Sequence, residues 1–307
     1  MKNHSRKITS LEDAEIFLKD IVELECNSDS LTHYSQMFFE CEQVFTKAYF
    51  RQTYDCYDYR DHKYLSQDAR DLMAKRIYSD LLSYCIADYN QPVISRPEGG
   101  LPKSYKVTAE RNAFYIIGLP TAGKTLLASY IADLYNAFTL DIDIVKRKLP
   151  EYKNIYGACV THKESSYIMN GSGTHSVLNH CIDNGWNIIL PKIGNIESAI
   201  INTTQLLLSK DYKVHLILAE IDRKIAVKRT FTRFLSTGRY ISLPLIFDLY
   251  GNEPNLNYYK LKNKKLYFSS YEIINCENLP FIADITENSP IQEISPIISI
   301  LYKGGLT

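Results

Sequence analysis

The feature that most constrains this chain is an eight-residue loop, Gly118–Thr125, which reads Gly-Leu-Pro-Thr-Ala-Gly-Lys-Thr. The apolar run at 113–117 before the loop is typical of a buried parallel strand, and the run at 126–132 after it is typical of a helix. Two glycines let the backbone wrap so that successive N–H groups and the helix N-terminus face an anion. The strand, the loop and the helix together therefore predict a phosphate-binding loop.

The chemistry of the loop predicts binding of ATP or GTP. Lys124 is placed to reach the β- and γ-phosphates, and the hydroxyl of Thr125 is placed to hold Mg²⁺. A plain glycine-containing turn is the alternative interpretation, but the Lys-Thr pair and both flanking elements favour the phosphate loop. The candidate nucleotide-binding residues are Gly118, Leu119, Pro120, Thr121, Ala122, Gly123, Lys124 and Thr125.

Charge and hydropathy exclude several classes of partner. The chain has 307 residues, enough for one large or two ordinary domains, and its 35 basic and 35 acidic side chains cancel. This balance gives no case for nucleic acid or an anionic membrane as the main partner. No apolar run approaches the roughly 18 residues that span a bilayer, and the N-terminus does not look like a secretory signal. We expect a cytoplasmic protein, of the producing cell or of a target cell if it is secreted as an effector.

Element patterns divide the chain in two. Apolar residues recur at helical spacing from residue 8 to about 90, and the segment 90–102 concentrates Pro and Gly as a linker does. We expect a helical accessory domain at 1–105 and a second domain at 106–307. The second should be an α/β domain with a parallel sheet and helices on both faces. Its predicted strands are 113–117, 137–142, 187–190 and 213–219, its predicted helices are 124–135, 162–183, 195–209 and 222–236, and 265–268 and 271–274 could add strands.

Two carboxylates follow the strand after the predicted P-loop helix. Asp141 and Asp143 would lie at the carboxyl end of that strand, where ligands collect in open α/β sheets. An acid there can orient Mg²⁺ or accept a proton from an attacking hydroxyl. The two side chains point the same way if the strand continues. A helix N-cap is the alternative role, and both roles can hold at once.

A basic helix supplies a third group of candidates. Arg229 and Arg233 are four residues apart and share one helix face, and Gly238-Arg239 begins the next loop. Guanidinium groups that converge on a transferring phosphoryl group stabilise its equatorial oxygens. The alternative is a solvated basic face with no chemistry.

These pieces, in this order, resemble the zeta toxin family of small-molecule kinases over roughly residues 110–250. The resemblance rests on the loop, on Asp141-Ile142-Asp143 followed by Lys146, on the His162–Ser166 helix start and on Arg233 with Gly238-Arg239. It implies ATP-dependent phosphorylation of a sugar hydroxyl on UDP-N-acetylglucosamine. Asp143 would be the base, Lys124 and Thr125 would handle phosphate and metal, and Arg233 and Arg239 would clamp the transferring group.

The acceptor side departs from the family pattern. Where relatives have an acidic and a small residue after the strand at 187–190, this chain has Pro191-Lys192. Lys192 could meet a phosphate on another acceptor such as NAD, which some zeta-like bacterial effectors phosphorylate, or it could be an ordinary loop lysine. Asp141, Glu164 and Lys192 are the candidate substrate-binding residues. Glu164 also fits a capping box with Thr161 as N-cap.

Two further questions stay open at this point. Zeta toxins are held off by helical antitoxins, so the partner could be an antitoxin or the N-terminal helices acting as an inhibitor in cis. The altered acceptor side also allows a nucleotide-binding switch or a decayed kinase without transfer activity. Phosphorylation of a protein would use the same groups, but a conventional protein kinase is disfavoured because its glycine-rich loop and His-Arg-Asp motif are missing.

Overall fold

One six-stranded sheet organises the second half of the chain. The structure is a computed structural model that describes residues 5–48, 51–83, 100–104, 106–171, 176–264, 267–277 and 282–285. The strands run in the order β2–β3–β1–β4–β5–β6, and only the last pair is antiparallel. They are β1 (Asn112–Ile117), β2 (Phe138–Thr139), β3 (Ile188–Lys192), β4 (Lys213–Glu220), β5 (Ser270–Asn275) and β6 (Ile282–Ile285).

Helices occupy both halves of the described chain. The N-terminal region is helical, as predicted, and has short 3₁₀ turns at Tyr57–Tyr59 and His62–Tyr64. Its helices are α1 (Leu11–Asp20), α2 (Ser28–Ala48) and α3 (Gln67–Leu82). The sheet region contains α4 (Lys124–Tyr135), α5 (Ile142–Lys148), α6 (Gly157–Val160), α7 (His162–Asn170), α8 (Val177–Asp183), α9 (Glu197–Leu208), α10 (Arg223–Thr237) and α11 (Glu253–Lys264).

The position of β1 in the sheet explains its sequence. β1 pairs in parallel with β3 on one side and with β4 on the other, so it is a central strand. A central parallel strand is covered on both faces, which is why 113–117 is a continuous apolar run and not an alternating one. The glycine-rich loop therefore leaves the sheet at the middle of its carboxyl edge.

Three element predictions were wrong. The strand expected over 137–142 is only two residues long, because Asp141 caps the next helix. The single helix expected over 162–183 is two helices, since α7 ends at Asn170 and Gly171 is extended. Residues 267–268 are not in a strand, whereas 271–274 lie in β5 as expected. The linker at 90–99 and the end of the chain lie outside the described residues.

The apolar core has a layer on each face of the sheet, and the N-terminal helices contribute to both. On one face, Phe17 of α1 and Phe38 of α2 pack within one cluster that also contains Leu119 and Phe231. On the other face, buried side chains of α3 such as Ile77 join a cluster with the strands. The predicted division into 1–105 and 106–307 stays a prediction, and the N-terminal helices share their core with the sheet.

Within the described residues, no helix is both long and apolar enough to cross a membrane.

Candidate active site

Backbone geometry shapes the phosphate loop as its sequence predicts. Gly123, the N-cap of α4, has a φ of 80°, in the left-handed region that favours glycine. A Cβ on Gly118 would lie 2.5 Å from the carbonyl oxygen of Ala219 in β4, so only glycine allows the loop to pass this close to the neighbouring strand. These two positions direct the loop around the N-terminus of α4.

Lys124 lies inside the loop. Its Nζ donates to the carbonyl oxygens of Gly118 and Leu119 at 2.8 and 2.6 Å. Burial lowers the pKa of Lys124 to about 8, although Asp141 and Asp143 oppose the shift. The ammonium group and the two carboxylates therefore share one electrostatic environment. Thr125, the next residue, is exposed in the first turn of α4.

Thr121 joins the loop to α10, a contact that the sequence did not reveal. Its Oγ1 lies 2.9 Å from the carbonyl oxygen of Ala226 and 3.3 Å from Oγ1 of Thr230. The helix that carries the arginine candidates thus contacts the phosphate loop directly. The loop motif does not specify a partner for the side chain at this position, so the contact could not be predicted from the motif alone.

Asp141 and Asp143 do not point the same way along a strand. Asp141 is the N-cap of α5, and its Oδ1 accepts a hydrogen bond of 2.9 Å from the backbone N–H of Asp143. The N-cap alternative is therefore correct for Asp141, and Asp143 lies in the first turn of the helix. Burial and the nearby charge of Asp143 raise the pKa of Asp141, against weaker opposing contributions from its hydrogen bond and from basic residues.

Asp143 is held in its charged form by basic neighbours. Burial alone would raise the pKa of its carboxyl group, but the charges of Lys146, Arg147 and Arg233 outweigh burial and lower it. Lys146 Nζ lies 2.8 Å from Oδ1 of Asp143, and the Lys146 side chain is 10% exposed whereas that of Asp143 is 48% exposed. Asp143 is thus an ionised carboxylate that remains open to a ligand.

The arginine candidates divide into different roles. Arg233 is exposed on α10 and close enough to lower the pKa of Asp143. Arg239 donates to the hydroxyl of Tyr152 and lies 5.4 Å from the centre of that ring. Arg229 instead donates to the carbonyl oxygens of Cys276 and Glu277 at 2.9 and 2.7 Å, so it holds the end of β5.

Lys192 lies at the end of β3, beside the acidic pair. Burial lowers its pKa to about 8, with Asp141 opposing the shift and Lys146 adding to it. Asp141, Asp143, Lys124 and Lys192 therefore lie at the carboxyl edge of β1, β2 and β3, and Lys192 is the last residue of β3 and not part of the loop after it.

Glu164 has a different environment. The predicted capping box is wrong, because the Thr161 side chain makes no cap and its Oγ1 donates to the carbonyl oxygen of Gly157 at 2.6 Å. Both carboxylate oxygens of Glu164 accept hydrogen bonds from Arg70 of α3, and Oε2 also accepts one of 2.7 Å from Thr53. Arg70 also binds Glu151, with Nη1 2.6 Å from Oε1. We call Arg70, Glu151 and Glu164 the buried ion cluster.

The buried ion cluster could not be predicted from the sequence, since Arg70 lies 94 positions before Glu164. The available signal was that Arg70 shares the buried face of α3 with Met73, Ile77 and Leu81, and this pattern does not identify the partner of Arg70.

Comparison with known proteins confirms the resemblance. Residues 102–252 match the model of the Zeta toxin family. A solved structure from the PezAT chromosomal toxin–antitoxin system of the human pathogen Streptococcus pneumoniae is similar over 81% of this chain and 92% of its own, with 15% identity and a TM-score of 0.53. The AvrRxo1-ORF1:-ORF2 complex contains a chain matched over 76% of this chain and 72% of its own, with 14% identity and a TM-score of 0.42. No curated protein matches the chain.

Proposed function

Because residues 102–252 match the zeta toxin family, we propose that this protein is an ATP-dependent kinase that phosphorylates a hydroxyl group of a small molecule. The observation that carries the proposal is the ionised, half-exposed carboxylate of Asp143, at the same sheet edge as the phosphate loop. A protein that only binds a nucleotide needs the loop, but it has less use for a charged acid surrounded by cations.

The proposed transfer step uses the candidate residues described above. The acceptor oxygen forms a bond to the γ-phosphorus as the bond to the bridging oxygen of ADP breaks, and the acceptor proton passes to Asp143. A low pKa makes Asp143 a weak base. The transition state for phosphoryl transfer is loose, however, so positioning of the hydroxyl matters more than its early deprotonation. Arg233 and Arg239 would stabilise the charge on the equatorial oxygens.

The residues at the loop are compatible with Mg²⁺. The described residues contain no group of three or more His, Cys, Asp or Glu side chains able to hold a metal ion. Mg²⁺ at nucleotide sites usually needs only one or two protein oxygens besides the phosphates. Thr125 would supply that oxygen, and the ion when bound would neutralise phosphate charge.

The acceptor proposal rests on Lys192. Its ammonium group lies at the end of β3, where the family resemblance predicts an acidic residue, so the position donates hydrogen bonds where a carboxylate would accept them. A phosphate-bearing acceptor suits this exchange, and UDP-sugars and NAD are the two candidates.

Transfer of labelled γ-phosphate from ATP with Mg²⁺ to UDP-sugars, NAD and nucleosides tests the proposal. Asp143→Asn should bind ATP nearly as well as the wild type but lose turnover by about 10²-fold or more, the usual contribution of a positioned base. Lys124→Ala should lose both ATP binding and turnover. Asp20→Asn, on the exposed end of α1, is the control and should change neither. ATP binding without transfer to any acceptor would support the nucleotide-switch alternative instead.

The PezAT toxin–antitoxin system supports a further part of the proposal, that this protein is a toxin with a helical inhibitor. The inhibitor would be a separate antitoxin or the N-terminal helices of the same chain. Glu23, in the segment after α1, pairs with Lys224 of α10, with Nζ 2.7 Å from Oε1, and α10 in turn contacts the phosphate loop. Growth of cells that express the full chain, with and without Lys124→Ala, tests toxicity directly.

A further inference from the structure

A cleft of about 420 Å³ lies between the N-terminal region and α7. We propose that it binds the part of the acceptor that is not phosphorylated, a neutral ring with polar edges such as a sugar or a nucleobase. The proposal rests on the kinase function proposed above, and it adds Gln52 and Tyr54, which lie outside the family match, to four residues inside it. The residues that carry it are Gln52, Tyr54, His162, Ser166, Tyr167 and Asn170.

The two walls of the cleft are fastened together. Thr53, between the two N-terminal wall residues, is fully buried, and its backbone N–H donates to the carbonyl oxygen of Val160 at 2.9 Å. Its hydroxyl donates to Glu164 at 2.7 Å. Gln52 Oε1 accepts a 2.6 Å hydrogen bond from the backbone N–H of Lys163, in the first turn of α7. The cleft is thus preformed, which reduces the cost of ordering it around a ligand.

The lining combines aromatic faces with polar groups. The rings of Tyr54 and Tyr167 have centroids 5.3 Å apart, tilted by 49°. Asn170 Oδ1 is buried and has no hydrogen-bond partner among the residues that the structure describes. A buried acceptor without a partner is costly, so it favours a ligand that brings an N–H or O–H group. Tyrosine rings and amides in one cleft suit a sugar or a base.

The charge of the cleft argues for a neutral ligand group. The only ammonium group in the lining is that of Lys163, and it is paired with Asp55 at 2.6 Å. The sheet edge contains more cationic groups, since Lys124, Lys146 and Lys192 lie there with the carboxylates of Asp141 and Asp143. A ligand with a neutral ring in the cleft and its anionic part at the sheet edge would match both regions.

His162 connects the cleft to the proposed base. It lines the cleft, and its pKa is lowered to about 4 by burial and by the charge of Lys146, against the opposing charge of Asp143. His162 is the first residue of α7. α7 also packs directly on α5, the helix that carries Asp143. One acceptor molecule can therefore occupy the cleft and present a hydroxyl to Asp143.

Steady-state kinetics of the full chain test the inference, with UDP-N-acetylglucosamine and NAD as probes. Tyr167→Leu and Asn170→Ala should each raise KM for the accepted probe by about tenfold, the equivalent of one ring contact or one hydrogen bond, and leave KM for ATP unchanged. Tyr259→Leu is the matched control, because Tyr259 on α11 is 47% exposed and Tyr167 is 48% exposed. Unchanged acceptor KM values in both cleft variants would overturn the inference.

Ligand-observed NMR of each probe with the unlabelled protein separates this inference from the kinase proposal. Probe binding that Tyr167→Leu weakens supports the cleft even if no phosphate is transferred. Binding that ignores both cleft variants, or no binding of either probe to the wild type, contradicts the cleft. Transfer that depends on Asp143 but ignores the cleft variants would support the kinase and reject only the cleft.

Discussion

Replacing Arg70 with Met is the sharpest test of how the N-terminal region is joined to the sheet. The side chains of Arg70 and Glu151 are each 2% exposed, and that of Glu164 is 7% exposed. Burial alone would lower the pKa of Arg70, but hydrogen bonds from its guanidinium group to both carboxylates outweigh burial and raise it. Arg70→Met removes the only cation of the buried ion cluster and leaves two buried carboxylates without it.

The expected cost is large. Removing one partner of a buried ion pair destabilises a protein by about 3–5 kcal/mol, because a buried charge loses its compensation. That loss is a third or more of the roughly 5–15 kcal/mol by which a native protein is stable. Urea unfolding measures it through the fluorescence of Trp186, the single tryptophan, whose ring lies 5.9 Å from that of Phe138.

The control variants separate charge from packing. Lys19→Met breaks an exposed ion pair with Glu15 and should change stability by less than about 1 kcal/mol. The triple variant Arg70→Met, Glu151→Gln, Glu164→Gln should recover much of the loss, since the carboxylates no longer need a counterion. If Arg70→Met costs less than about 1 kcal/mol, or if the triple variant costs the sum of its parts, the buried ion cluster does not join the two regions as argued.

The other predictions concern Lys192 and the N-terminal helices. Lys192→Met should raise thermal stability at pH 7, because burial lowers the pKa of this lysine to about 8 in the folded chain and makes its charged form unfavourable there. The gain should shrink between pH 8 and about 10.5, because the lysine deprotonates in the folded chain while it stays charged in the unfolded chain. A gain that is constant with pH would refute the burial explanation. Phe38→Ala should lower the free energy of unfolding by about 3–5 kcal/mol, since Phe38 is fully buried between α1 and the sheet region. It should also lower phosphate transfer. A rise in transfer would instead support inhibition by the N-terminal helices.

Local patterns predicted much of the fold. β1, α4 and the loop between them could be predicted because an apolar run, two glycines and a Lys-Thr pair are local sequence patterns with a direct structural consequence. The errors occurred at the ends of elements. The strand before Asp141 stops early because that residue caps α5, and α7 ends at Asn170 with Gly171 as its C-cap.

The candidate site divides in the same way. The sequence alone predicted the phosphate loop, the acidic pair and Lys192 as site residues, because parallel strands bring their carboxyl ends, and the residues that follow them, to one edge of the sheet. Only the tertiary structure decided the environment of Glu164, since its partner Arg70 is 94 positions away and no local pattern encodes a contact at that separation. For the same reason only the structure brought Gln52 and Tyr54 to α7, where the N-terminal region becomes one wall of the cleft.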